Sequence, residues 1–447
     1  MKKKFIFLFC ILHCILYSHL SARVKEIKLR NGLMILLKED HKLPIVSIQL
    51  WVKVGSRDED SVNSGISHLI EHMLFKGTEK YPGEAIYSEI EKRGGIINAG
   101  TSMDFTYFYV TLPTKIEKYL GETTPVKINQ DSLFIGLDIL SQMVRKTLFA
   151  EDELEREKLV IAEELERKLD DPQSYIWDLF NSALYSGHPY SRTVLGTSES
   201  VRHISREDIL NYYNKWYIPA NCILVVVGDF KEKDVLTICK RAFDEGKTFQ
   251  ISKAKIEKEE SIYSSNLEIK RPVHQVYLIM GVIGPDAIDD DCYPMDIISY
   301  ILGKGRYSRL YRKLREEKRF VWSVSSSFLT QKEKGPFYIS VECDTDKILL
   351  VKEILAQELK RISDEMVTRE EIERAKLLFE SEYLLSTESY FGEAFNLGYY
   401  QTISSYKIAL EYLRKILKVS AADIKRVANK YLDSEKFICV MIKPSEE

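Results

Sequence analysis

Neither sign of charge dominates this sequence of 447 residues, in which 64 lysines and arginines stand against 67 aspartates and glutamates. The formal net charge of −3 gives no basic field of the kind that binds nucleic acid, and no acidic tail is present. We therefore expect no nucleic-acid partner. Hydrophobic residues make up 45% of the chain, which is ample for large cores, and the length predicts two or three domains.

Cysteine is also scarce. The sequence has seven cysteines, two of which lie close to its N-terminus. The others are too widely spaced for a disulfide framework, and they form no C-x-x-C metal pair. We expect most of these five to be small buried apolar residues: Cys222, Cys239, Cys292, Cys343 and Cys439.

The most apolar run is too short for a typical membrane span. It extends from Phe5 to Tyr17, follows three lysines and precedes the small residues of SHLSA. This order is typical of a signal peptide. We predict a signal peptide at residues 1–22 and an exported protein, periplasmic or secreted, with no stable membrane span after cleavage. An uncleaved anchor and a buried first helix are the alternatives.

Strand-like and helix-like segments are mixed along the chain, which predicts an α+β fold. Asn31-Gly32 lies between alternating apolar residues and indicates a hairpin. The polar segment 121–132 is predicted to be a surface loop. Further strands and helices are expected at residues 45–55 (strand), 84–92 (helix), 96–112 (paired strands) and 136–169 (helical, with a break near 147–150).

Two distant segments resemble each other. SREDILNYYNKW begins at Ser205, SAADIKRVANKY begins at Ser420, and an apolar strand follows each. The Ser and the acidic residue three positions later form a helix-capping signature, which explains part of the match. The shared Asn-Lys-aromatic ending is harder to obtain by coincidence. We predict two similar domains in tandem, at 23–248 and 266–447, joined by a polar linker at 249–265.

The segment SGISHLIEHMLFKGT contains two of the chain's eight histidines. Residues three and four apart share a helix face, so His68, Glu71 and His72 lie together. Zinc enzymes combine imidazole and carboxylate ligands with a position left open for water, and a neighbouring carboxylate can take a proton from that water. The H-x-x-E-H pattern therefore predicts a metal site with Glu71 as general base. Core histidines and a structural zinc are the alternatives.

With its flanking segments, this motif resembles the pitrilysin-type inverted zinc metallopeptidases, whose signature is H-x-x-E-H. The branch with mitochondrial processing peptidase and bacterial zinc proteases is the most similar. Besides GISHLIEHMLFKGTEKYP, the segments that carry the resemblance are RNGLMILL, VGSRDED, INAGTSMDFTYFYV and HPYSRTVLGTSESVRHISREDILNYYNKWYIPANCILVVVGD. The resemblance implies two similar tandem domains, each a mixed β-sheet covered by helices, which form half of a clam-shell, and a Zn²⁺ cofactor.

The resemblance also assigns a third zinc ligand, Glu164, and a supporting acid, Glu157, within ELEREKLVIAEEL. The helical phase agrees, because both residues flank the apolar stripe of this segment whereas Glu163 points away from it. Glu163, or no ligand here, is the alternative. The stretch between His72 and Glu164 is longer than is usual in the family, and segment 121–132 is the expected insertion.

Substrate-binding residues are implied as well. Asn98 and Ala99 match an edge strand that pairs with the substrate backbone in the family. The second domain has only His274 and no H-x-x-E-H, but GKGRYSRLYRKLREEKRFVWSVS resembles the family's Arg/Tyr segment. Arg315 occupies the Arg position and Trp322 replaces the Tyr. Trp322 can pack on substrate and donate from its indole N–H but has no hydroxyl; a buried aromatic is the alternative.

The resemblance thus implies a zinc-dependent endopeptidase that hydrolyses short unfolded peptides inside a closed chamber. Four such domains build the chamber in the family. We therefore expect this two-domain chain to form a homodimer, or a heterodimer with a related subunit, with Arg315 and Trp322 facing the zinc of the partner chain. The alternative is a partner or assembly subunit with little proteolysis of its own.

Overall fold

The computed structural model describes residues 23–114, 131–243 and 266–445. The predicted signal peptide, most of the predicted loop at 121–132 and the predicted linker lie outside the described residues. None of the described helices is long and apolar enough to cross a membrane.

The strands of the described residues form two sheets, one in each half of the chain. In the first half they are β1 (Lys25–Lys28), β2 (Met34–Glu39), β3 (Ile45–Val52), β4 (Ile96–Thr101), β5 (Thr106–Pro113) and β6 (Cys222–Gly228). In the second half they are β7 (Leu267–Arg271), β8 (Val276–Ile283), β9 (Val321–Phe328), β10 (Pro336–Cys343) and β11 (Ile438–Pro444).

Helices cover both sheets. Those of the first half are α1 (Ile66–Met73), α2 (Ala85–Glu91), α3 (Asp131–Lys146), α4 (Glu151–Asp170), α5 (Pro172–Leu184), α6 (Ser198–His203), α7 (Arg206–Trp216) and α8 (Glu232–Phe243). Those of the second half are α9 (Cys292–Gly303), α10 (Ile348–Asp364), α11 (Arg369–Ser386), α12 (Tyr390–Ile403), α13 (Tyr406–Lys418) and α14 (Ala421–Tyr431), with a π-helical turn at Tyr311–Glu317.

The two sheets have the same topology. The first has the strand order β1-β2-β6-β3-β5-β4 and the second the order β7-β11-β8-β10-β9. Each contains one parallel pair, β2 with β6 and β7 with β11, among antiparallel neighbours. Apart from β1, each strand of the first sheet thus has a counterpart in the second. The prediction of two similar domains with mixed, helix-covered sheets is confirmed.

The sequence repeat falls at equivalent places in the two domains. Ser205 caps α7 in a capping box with Asp208, and Ser420 caps α14 in a capping box with Asp423. Strands β6 and β11 follow these helices and occupy matching positions in their sheets. The capping signature and the trailing strand are therefore parts of one duplicated unit.

Each half also supplies a helix to the sheet of the other half. Helix α5 packs on β8 and β11 through Ile176 and Phe180. Helix α12 packs on β3 and β6. There a Cβ on Gly398 would lie 2.2 Å from Nε1 of Trp51, so only glycine permits this approach. The two halves are interlocked.

Most local predictions agree with the structure. Strands β1 and β2 form the expected hairpin, in which Gly32 has a φ of 93°. Helix α3 ends and α4 begins on either side of the predicted break, where Phe149 has a φ of 48°. One correction concerns Asp131 and Ser132, which begin α3 and do not belong to a loop, because the apolar face of α3 extends back to a buried Ser132. All five of the cysteines from Cys222 to Cys439 are buried, and none of them forms a disulfide in the part of the chain that the structure describes.

Candidate metal and catalytic site

Helix α1 divides its residues between the core and a polar cluster. It begins after Gly65, whose φ of 92° favours glycine. Four apolar residues of the helix are fully buried: Ile66, Leu69, Ile70 and Met73. His68, Glu71 and His72 are on the side of the helix that meets α4 and the outer strand β4.

Helix α4 brings two acids to this cluster. Its apolar stripe, formed by Leu154, Ile161 and Leu165, is buried in the same core as α1. Glu157 is also buried, Glu164 is partly buried, and Glu163 is exposed, as the helical phase predicts. The phase of one helix thus places two of its acids beside the histidines.

His68, His72 and Glu164 offer three ligand atoms that lie within 4.8 Å of one another. Nε2 of His68 and Nε2 of His72 are each 3.8 Å from Oε2 of Glu164. Two atoms that each bind a zinc ion at about 2.1 Å are at most about 4.2 Å apart, so these distances suit a shared ion. Burial lowers the pKa of His68 to about 3, which leaves its ring neutral and able to donate a lone pair. The donor set therefore fits zinc.

Glu157 orients His72. Nδ1 of His72 lies 2.9 Å from Oε2 of Glu157, which leaves Nε2 facing Glu164. Lys76 pairs with the other oxygen of Glu157 at 2.7 Å. Burial alone would raise the pKa of Glu157, but the hydrogen bonds from His72 and Lys76 hold it below its ordinary value. A carboxylate behind a ligating histidine is the usual partner of its second ring nitrogen.

Glu71 is held by a residue that sequence reasoning missed. The hydroxyl of Thr101 donates a hydrogen bond of 2.5 Å to Oε2 of Glu71 from the end of strand β4. Burial raises the pKa of Glu71 above its ordinary value, although this hydrogen bond acts in the opposite direction. A carboxyl with a raised pKa is a better proton acceptor than an ordinary one. The signal in the sequence was weak: Thr101 is only a hydroxyl residue three positions after Asn98.

Asn98 and Ala99 lie on the same strand as Thr101. Strand β4 is the outer strand of the first sheet and pairs only with β5 in the described residues, so its other edge is open. The backbone N–H of Ala99 donates 2.8 Å to the side-chain oxygen of Asn98. The structure therefore brings these two residues to an open edge beside Glu71.

Arg315 and Trp322 lie together in the second domain. The guanidinium carbon of Arg315 is 5.9 Å from the centre of the Trp322 ring, and Arg315 donates to the backbone oxygen of Val321. The indole N–H of Trp322 donates a hydrogen bond of 3.0 Å to the side chain of Asp344. The side chain of Trp322 is 56% exposed, so the alternative of a buried aromatic is wrong.

The duplicated fold and the cluster between α1 and α4 define the class of H-x-x-E-H metallopeptidases. The profile described as Insulinase (Peptidase family M16) matches residues 34–198, and the profile Peptidase M16 inactive domain matches residues 203–379. A protein of Rickettsia felis described as an uncharacterized zinc protease is 30% identical over 412 residues, which are 91% of this chain and 94% of that protein. The chain belongs to the pitrilysin-type M16 peptidase family.

Other relatives agree with this assignment. An uncharacterized zinc protease of Bacillus subtilis is 26% identical over 94% of this chain and 98% of its own length. A crystal structure of a protease from Helicobacter pylori superposes with a TM-score of 0.84 at 23% identity, covering 95% of this chain and 100% of that one. An M16 inactive-domain structure from Pseudomonas fluorescens gives a TM-score of 0.80, also at 23% identity, over 95% of this chain and 99% of that one. At this identity the two structures establish the fold alone.

Proposed function

We propose that this chain is an exported zinc-dependent endopeptidase that hydrolyses short unfolded peptides in a chamber closed by a second subunit. The observation that carries the proposal is the position of Glu71. Its carboxylate lies on the same helix as His68 and His72, which could hold a metal ion, and is held by Thr101 at an open sheet edge. The proposed metal ligands, the proposed base and the open edge of β4 thus lie close together.

In this proposal His68, His72 and Glu164 hold the metal, and Glu157 keeps His72 in the required orientation. When bound, zinc polarises the scissile carbonyl and the attacking water. Glu71 takes the proton of that water and delivers it to the leaving amine.

The peptide adds as a strand to the open edge of β4, where main-chain hydrogen bonds bind it with little regard to sequence. Asn98 and Ala99 contact its backbone. Arg315 and Trp322 contact it from the partner subunit, which is a second copy or a related chain. A second subunit is needed because the chain provides half of the chamber that the family builds.

The test is hydrolysis of a library of short unstructured peptides by the zinc-loaded protein and by Glu71→Gln. We expect the wild type to cleave and Glu71→Gln to bind zinc without cleaving. Glu164→Gln should lose zinc, whereas Glu163→Gln, its exposed neighbour on α4, should keep both zinc and activity. Zinc binding without cleavage by the wild type would mean either that a related second subunit is missing or that this chain is itself a partner subunit, and co-purification from the native source would distinguish the two.

A further inference from the structure

The first turn of helix α1, which carries two of the proposed metal ligands, is held by residues that the proposed mechanism does not use. Helix α1 has eight residues, and a helix this short depends on its surroundings. Its N-cap residue, Gly65, has no side chain to accept the first backbone N–H groups, which need partners. His68 lies in this turn, so whatever fixes the turn also fixes a metal ligand.

Glu59 supplies the missing cap from outside the helix. Its side chain is buried, and its two oxygens accept from the backbone N–H of Gly65 at 2.7 Å and of Ser67 at 2.9 Å. The carboxylate lies at the positive end of the helix dipole, which adds to the attraction. Arg192 donates 2.5 Å to the backbone oxygen of Glu59 and so holds the segment that carries the cap.

A second segment closes on the same turn. The hydroxyl of Ser200 donates 2.7 Å to the backbone oxygen of Ser64, directly before Gly65. Gly196 has a φ of 70°, and a Cβ there would lie 2.3 Å from the same oxygen of Ser64. Backbone therefore packs directly on backbone at the start of α1, which is possible only because Gly196 has no side chain.

We propose that Glu59 and Ser200 form a clamp on the first turn of α1 that positions His68 and thereby sets the zinc affinity of the site. The proposal rests on the proposed function in requiring that His68 bind zinc. Glu59 and Ser200 are positioning residues, because both act through the helix backbone. The clamp gives a role to two sequence segments that the mechanism leaves unused, VGSRDED and HPYSRTVLGTSES.

The test is the zinc affinity of the purified protein, measured by competition with a chromophoric chelator well below the unfolding temperature of the metal-free protein. Glu59→Gln keeps the size of the side chain but turns an amide donor toward backbone donors. We expect its zinc affinity to fall about 10- to 100-fold, as when partners of metal ligands are lost. Ser200→Ala should show a smaller loss in the same direction, and it carries the test if Glu59→Gln does not fold.

Asp423→Asn is the matched control. Asp423 accepts from the backbone N–H of Ser420 at 2.9 Å and so completes the capping box of α14 in the second domain. This variant should lower the unfolding temperature and leave the zinc affinity unchanged. The visible bands of the cobalt-substituted protein, which report coordination geometry, should change in Glu59→Gln and not in Asp423→Asn.

The clamp is overturned if Glu59→Gln and Ser200→Ala bind zinc as the wild type does, or if Asp423→Asn weakens zinc binding as much as Glu59→Gln. If the wild type itself binds no zinc, the proposed function fails and the clamp fails with it. If the wild type binds zinc and Glu59→Gln binds it with equal affinity, the clamp is disproved and the proposed function is unaffected.

Discussion

Nδ1 of His72 lies 2.9 Å from one oxygen of Glu157, and Nζ of Lys76 lies 2.7 Å from the other. The carboxylate is buried, where an unpaired charge would be costly. Lys76 compensates the charge, so Glu157 stays ionised and keeps His72 in one orientation. Nε2 of His72 is thereby left for the metal. The affinity for zinc is expected to depend on this chain of contacts behind the ligand.

Glu157→Gln should weaken zinc binding about 10- to 100-fold, because the amide cannot serve both His72 and Lys76 as an ionised carboxylate does. Chelator competition on the purified protein measures the change. Glu155→Gln is the control, since Glu155 is an exposed acid on the same helix that pairs with Lys158. Equal zinc affinity in Glu157→Gln and Glu155→Gln would contradict the role of Glu157.

Thr101→Val should lower kcat about tenfold, because Glu71 loses the hydrogen bond that holds its carboxylate in place, and a hydrogen bond to a charged group contributes about 1.5 kcal/mol or more. Valine has nearly the shape of threonine but cannot donate to Glu71. Zinc affinity should stay at the wild-type value, because Thr101 contacts Glu71 and none of the proposed zinc ligands. Thr101→Ser, which retains the hydroxyl, should recover most of the activity. A wild-type kcat in Thr101→Val would show that Glu71 needs no such support.

Local periodicity accounts for what the sequence predicted well. His68 and His72 share a face because they are four apart on a helix, and Glu157 lies one heptad before Glu164 on α4. The hairpin of β1 and β2 follows from alternation around Asn31-Gly32. These features depend on residues that are close in the sequence, within one or two helical turns or adjacent strands. A single sequence is therefore enough to predict them.

Contacts between distant elements could not be predicted. Thr101 reaches Glu71 only because β4 is the outer strand next to α1, and strand order is a property of the whole sheet. Helices α5 and α12 each cover the sheet of the other half of the chain, and a helical pattern in the sequence does not say which sheet a helix will cover. For the same reason the ion pair between Arg57 and Glu333, from different halves of the chain, gave no signal.

Asp104→Ala should lower the free energy of unfolding by about 3–5 kcal/mol, because it leaves Arg57 buried without its closest partner. Asp104 lies 2.9 Å from the guanidinium of Arg57, and both side chains are almost fully buried. Glu333→Gln removes the negative charge of a second acid that contacts Arg57. The side chain of Glu333 is 44% exposed, so the loss should be less than about 1 kcal/mol. Denaturant unfolding compares the two variants. Equal losses would show that the contact between the domains matters as much as the buried pair.

Asp296 should make stability fall as the pH rises. The residue is buried in α9, and burial raises the pKa of its carboxyl to about 7, although the hydroxyl of Tyr412, 2.6 Å away, opposes the shift. Between the ordinary pKa near 4 and this value, the folded protein binds a proton that the unfolded chain has lost. The contribution of Asp296 to stability is therefore largest below about pH 4 and declines until about pH 7.

Asp296→Asn removes this titration and keeps an oxygen that can accept from Tyr412. Relative to the wild type, the variant should gain about 2–3 kcal/mol of unfolding free energy between pH 5 and pH 8. Denaturant unfolding of both proteins at each pH measures the difference. Asp290→Asn, at an exposed acid that pairs with Lys415, is the control and should keep the pH dependence of the wild type. If Asp296→Asn and the wild type change in parallel between pH 5 and pH 8, Asp296 is ionised throughout that range. The hydroxyl of Tyr412 then stabilises the buried charge more than burial disfavours it.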